Sequence, residues 1–250
     1  MRIAIFDSGV GGFSILRELL PSPNTYLYLA DQAYFPYGDK PSEQIAERVG
    51  LIASWIKKQN PDIVVMACNT ATVSGIDKLR SILSCPVVGV EPVVKPAAKY
   101  GKSLIIGTEP TLNSLRMRQL LAAHPGSVLT YCPNGLAGAI ENINIDQVKK
   151  IIHEISKVVQ NEKIEAIGLS CTHYPLIKDL LQESLPGITI IDPSQAVAKQ
   201  VLRKLEFENL MKIENWNLKI SFCTTGDVLR FNYQISHYLG ITAQSSKVTI

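Results

Sequence analysis

The sequence predicts an α/β protein built from two pseudo-symmetric α/β domains, each with a mainly parallel central sheet, and a cleft between them. Three observations carry this. Short apolar runs alternate with amphipathic stretches along the chain, which is how strands and helices taken in turn read. Most of the apolar runs are Val, Ile and Leu with little polar alternation, as expected of strands covered on both faces in parallel sheets. Finally, the segment "PDIVVMACNTATVSGIDKLRSILSCPVVGVEP" can be laid over "KIEAIGLSCTHYPLIKDLLQESLPGITIIDP". Each has an apolar strand, a Cys, a Thr within two residues, a helix, then Pro, a short strand and an acidic-Pro pair.

The elements follow in order. In the first half, strands are predicted at Arg2–Phe6, Thr25–Ala30, Asp62–Ala67 and Val87–Val90, with helices at Gly12–Leu20, Ser42–Gln59 and Ala71–Ser81. The second half has strands at Ser103–Gly107, Val128–Cys132, Ile164–Ser170 and Thr189–Ile191. Its helices are Pro110–Ala122, Asp146–Asn161, Pro175–Leu185 and Gln195–Glu206. A late strand, Lys219–Cys223, and a helix, Val228–Leu239, are expected to return to the first half. The domains are therefore expected at 1–94 with 208–250, and at 95–207, with proline punctuation at Pro92–Pro96 marking the boundary. The repeat is in register beyond the cysteines. Glu91 follows Cys68 by 23 residues and Asp192 follows Cys171 by 21, while Asp7 precedes Cys68 by 61 and Thr108 precedes Cys171 by 63.

Composition narrows the function classes. The 250 residues are 46% hydrophobic and 19% charged, an ordinary balance for a soluble protein. Net charge is +3 and basic residues never run longer than a pair, which argues against a nucleic-acid face. Met1–Gly9 lacks the pattern of a signal peptide, and no apolar stretch approaches the roughly 20 residues that span a bilayer. Five cysteines without a CxxC pair argue for free thiols in a reducing, cytoplasmic setting.

Three motifs carry chemistry. "DSGVGG" at Asp7–Gly12 is a glycine-rich strand-to-helix turn whose N–H groups suit an anion. A dinucleotide fits it poorly, because Ser14 stands where a third glycine belongs. "ACNTA" places Cys68 at a strand end with Asn69 and Thr70 at the helix entry, and "SCTHYP" places Cys171, Thr172 and His173 equivalently. Either cysteine alone reads as a small core residue. As a repeat-related pair they read as two proton-transfer groups on opposite faces of one ligand. Inverting a stereocentre beside a carboxylate needs that arrangement, and a thiol with a pKa of about 8.5 needs only a modest shift to act near neutrality. Helix N-termini and His173 would assist thiolate formation; Asp7 would accept or orient a proton near Cys68. A metal would want clustered ligands, disulfide exchange a CxxC, and a Cys–His hydrolase leaves Cys68 unexplained. Cys85, Cys132 and Cys223 read as structural.

Together "DSGVGG", "PYG" at Pro36–Gly38, "ACNTA", Glu91-Pro92, "GT-x-x-T-x-x-S" at Gly107–Ser114, "CTHYP" and "TTGD" at Thr224–Asp227 resemble the glutamate racemase family. The resemblance implies two-base racemisation of glutamate without cofactor or metal. It implies that Cys68 deprotonates the D-enantiomer and Cys171 the L-enantiomer, assisted by Asp7 and His173. Ser8, Tyr37, Gly38, Asn69, Thr70, Thr108, Thr111 and Thr172 would hold the substrate, together with Asp7 and His173. It further implies a homodimer, and D-glutamate supplied to bacterial peptidoglycan synthesis. Glu141 is the candidate for the family's assisting carboxylate, although "CPNGLAGAIE" has one residue more than the usual spacing. The residues themselves leave open an aspartate or other amino-acid racemase, since one methylene discriminates weakly, and a binding protein that retains the pocket without turnover.

Overall fold

A computed structural model describes residues 1–205 and 219–250. The first sheet contains β1 (Arg2–Asp7), β2 (Thr25–Ala30), β3 (Ile63–Met66) and β4 (Val87–Gly89); the second contains β5 (Ser103–Gly107), β6 (Val128–Tyr131), β7 (Ala166–Ser170) and β8 (Thr189–Ile191). Strand β9 (Lys219–Thr224) and the two-residue β10 (Ser246–Lys247) extend the first sheet, giving the order β10-β9-β2-β1-β3-β4. The second sheet runs β6-β5-β7-β8. Every pairing among the described residues is parallel. Once the added strands are set aside, the two orders are the same, so the repeat seen in the sequence is a repeat of topology. Asp7 and Gly107 end equivalent strands, and Cys68 and Cys171 follow equivalent strands.

The helices, in chain order, are α1 (Phe13–Leu19), α2 (Ser42–Lys57), α3 (Asn69–Ile82), α4 (Val94–Ala97), α5 (Glu109–Leu112), α6 (Leu115–Ala122), α7 (Leu136–Glu141), α8 (Ile145–Glu162), α9 (Lys178–Ser184), α10 (Ser194–Lys204) and α11 (Val228–Leu239). None among the described residues is long and apolar enough to cross a membrane. The main apolar cluster is continuous across both halves. It runs from Ile5, Phe13 and Tyr28 in the first half to Leu104, Ile106 and Leu169 in the second sheet, and on to Val201. The halves therefore share a core instead of hanging on a linker.

Most predicted elements are present within a residue or two of their expected ends, but two helices differ. Pro110–Ala122 is broken into α5 and α6, because Ser114 adopts an extended backbone and its hydroxyl accepts from Met117 N–H at 3.1 Å, starting a new helix. Pro175–Leu185 begins as a tight 3-10 turn at Tyr174–Ile177 before α9. The short helices α4 and α7 have no counterpart in the sequence prediction; α7 follows Gly135 at φ 79° and contains Gly138, so its propensity is low. Glu206 and the expected 207/208 boundary lie outside the described residues. Strand β9 pairs with β2 of the first sheet, as expected of a returning segment.

The turn after β1 packs closely against the segment after β7. A Cβ on Gly11 would sit 2.9 Å from the backbone N of His173 and 2.6 Å from its Nδ1. Gly11→Ala is therefore expected to destabilise the protein by about 1–3 kcal/mol, read as a lower Tm, and to displace His173.

Candidate active site

Each sheet presents its C-terminal strand ends to one cavity of about 200 Å³. That is smaller than the roughly 300–1,000 Å³ of sites for drug-sized ligands, and suits a small metabolite. Ser8, Tyr37, Gly38, Cys68, Asn69 and Thr70 line it from the first half. Thr108, Cys171, Thr172 and His173 line it from the second. Asp7, Thr111 and Glu141 are buried behind this lining. Cys132, expected to be structural, lines the cavity because it follows β6 at the same edge.

Cys68 caps α3: its sulfur accepts from Ala71 N–H at 3.5 Å and lies 3.6 Å from Ser8 Oγ. Burial, and then the Asp7 carboxylate, push this thiol up to about 12, outweighing the Ala71 and Ser8 hydrogen bonds. The resting group is a thiol, contrary to the modest shift expected from the sequence. Beside it, both polar atoms of the buried Asn69 side chain lack a hydrogen-bond partner among the described residues. Thr70 Oγ1 meets Thr108 Oγ1 at 2.9 Å across the cleft, and Thr108 in turn meets Thr111 at 3.0 Å. No Lys or Arg is among the described residues lining the cavity. Asp39 and Glu109 also line it, so an anion there is held by hydroxyls, an amide and the start of α3 and not by side-chain charge.

On the other wall, Cys171 Sγ lies 3.9 Å from His173 Nδ1. His173 Nε2 meets Glu141 Oε2 at 2.8 Å, and both side chains are buried. Burial alone would pull the imidazole down, but Cys171 and Glu141 together raise it well above 6.5. Burial likewise opposes ionisation of Glu141, yet its bonds to His173, Val10 N–H and Gln32 hold it below its ordinary value. The pair is an imidazolium and a carboxylate near neutrality. Asp7 accepts from Gly9 N–H at 2.8 Å and from Thr172 Oγ1 at 2.9 Å. Its oxygens are thus directed at the turn and at the opposite half, while Ser8 is the hydroxyl on Cys68. Burial raises Asp7, with His173 opposing.

Sequence reasoning missed the support of Tyr37. Its hydroxyl donates to Asp31 Oδ2 at 2.6 Å, and Asp31 also accepts from Arg48 Nε at 2.8 Å and Thr225 Oγ1 at 2.8 Å. Asp31 directly follows β2, and Thr225 directly follows β9. The C-terminal ends of those strands were the available signal.

The chain matches the Asp/Glu/Hydantoin racemase family model over residues 14–201. It is 35% identical to a glutamate racemase of Ralstonia pickettii, with 99% of this chain and 91% of that protein covered. The structure of a glutamate racemase isoform from Bacillus anthracis superposes with a TM-score of 0.86 at 28% identity, covering 99% of this chain and 97% of that one. That of Francisella tularensis glutamate racemase, in complex with D-glutamate, gives 0.82 at 27% identity over 100% and 97%. With the family model matching most of its length, the chain belongs to the Asp/Glu/Hydantoin racemase family.

Proposed function

We propose that the protein interconverts L- and D-glutamate by a two-base reaction, with Cys171 and Cys68 as the proton-transfer groups. The observation that carries this is the placing of both sulfurs, from equivalent strand ends, on one small cavity. In the L-to-D direction Cys171, reacting as its thiolate beside His173, takes the Cα proton. The electron pair spreads into the α-carboxylate. The Cys68 thiol then gives its proton to the opposite face, leaving Cys171 as the thiol and Cys68 as the thiolate. Ser8, Asn69, Thr70, Thr108 and Thr172 hold the substrate by hydrogen bonds, and Tyr37 with Gly38 shapes the wall. Thr111 supports Thr108. The domains proposed are 1–94 with 208–250, and 95–207. The free cysteines support a reducing cytoplasm as the place of work, and the family resemblance supports a homodimer supplying D-glutamate to peptidoglycan synthesis.

Incubation with L-glutamate is expected to abolish its circular-dichroism signal without added cofactor. Cys68→Ala and Cys171→Ala should each remove racemisation; normal turnover in both would refute the two-thiol reaction. In D2O, newly formed D-glutamate should carry deuterium at Cα from the first turnovers, because the donor is not the group that took the proton. Retention of the original hydrogen would point to a single base.

Asp7 gives a prediction of opposite sign for stability and activity. Its native pKa lies above the ordinary 3.8, so it favours folding below that value and loses this contribution as pH rises through the native one. Asp7→Asn should therefore raise Tm at pH 7 while racemisation falls, a trade expected of working residues.

A further inference from the structure

The "TTGD" motif and helix α11 are not used by the proton transfers, yet they are tied to them by hydrogen bonds. Gly226 N–H donates to Thr224 Oγ1 at 2.9 Å, which leaves the Thr224 proton for Gln32 Oε1 at 2.9 Å. The amide of Gln32 is thereby oriented. Its Nε2 donates to Glu141 Oε1 at 2.6 Å and to Gln234 Oε1 at 2.7 Å. Gln234 Nε2 then donates to the Glu141 carbonyl at 2.5 Å. Arg230, Gln234 and Tyr238 lie four residues apart, on one face of α11. Arg230 donates to Asn142 Oδ1 at 2.8 Å, and Tyr238 donates to the Ile140 carbonyl at 2.5 Å. The end of α7 is gripped at three successive residues.

We propose that Thr224, Gln32 and the α11 stripe of Arg230, Gln234 and Tyr238 form a positioning clamp that holds Glu141 against His173, and through His173 sets the sulfur of Cys171. The inference rests on the racemase reading above. Glu141 is a full acceptor: Oε1 takes Gln32, and Oε2 takes Val10 N–H at 2.9 Å and His173. Only an ionised carboxylate accepts at every bond, and a chain of oriented donors strengthens each member. The charged and titratable groups around Glu141 are His173 after β7, Asp7 on β1, Tyr28 on β2, and Arg230 and Tyr238 on α11. Burial opposes ionisation of Glu141 while its hydrogen bonds favour it, so removing its donors favours its protonation.

The test compares Gln32→Met and Gln234→Met, which keep shape and remove the donors, with the milder pair Thr224→Val and Thr224→Ser. For the Met variants kcat on glutamate should fall about 10- to 100-fold, the scale of one lost hydrogen bond to a charged group, and less for Thr224→Val, with KM within about twofold. The acid limb of kcat/KM should move to higher pH, and Thr224→Ser should restore both. Wild-type kcat in the variants, or a loss of activity with an unmoved acid limb and no recovery in Thr224→Ser, would overturn the clamp. The wild-type protein is run alongside: its failure to racemise glutamate would refute the racemase reading itself, whereas an active wild type with insensitive variants refutes the clamp alone.

Discussion

Two carboxylates, Asp7 and Glu141, are buried between the sheets with one imidazole close to both. Burying charge without partners is costly, and the surrounding structure answers that cost. The turn after β1 directs its N–H groups inward, Gly9 to Asp7 and Val10 to Glu141. Thr172 reaches Asp7 from the opposite half. The bonds from Val10 and Thr172 cross the cleft, so contacts that satisfy the charges also fix one half against the other.

The two halves are alike in strand order and unlike in electrostatics. Cys68 has a hydroxyl, a helix N–H and a nearby carboxylate, and is held as a thiol. Cys171 has a protonated imidazole. Symmetry of the backbone places two sulfurs at one cavity, and the groups beside them differ: a hydroxyl and a helix N–H on one, an imidazole on the other.

The parallel sheets and their repeat were legible because doubly covered strands read as continuous apolar runs, and because the landmarks around Cys68 and Cys171 recur at matching spacing. The cavity lining was legible for the same reason, since residues after equivalent strands meet at one edge. The break at Ser114 was not, because it depends on one side-chain cap inside an otherwise helical pattern. Nor was the shell around Glu141. Gln32 and Gln234 stand far apart in sequence and are joined only when the end of β2 and helix α11 come together. A buried amide carries no periodic signature of its own.

The raised pKa of Cys68 bears on the free protein between turnovers. Enantiomers have equal free energy in water, so kcat/KM must be the same in both directions at every pH. In the two-thiol reaction proposed above, an L-to-D turnover leaves the protons inverted, with a thiolate on Cys68, whose surroundings oppose it. The free protein must then exchange protons with solvent before it meets the next L-glutamate. On that reading, at high substrate concentration the reset competes with binding of the opposite enantiomer, and the molecule would carry a brief memory of the hand it last released.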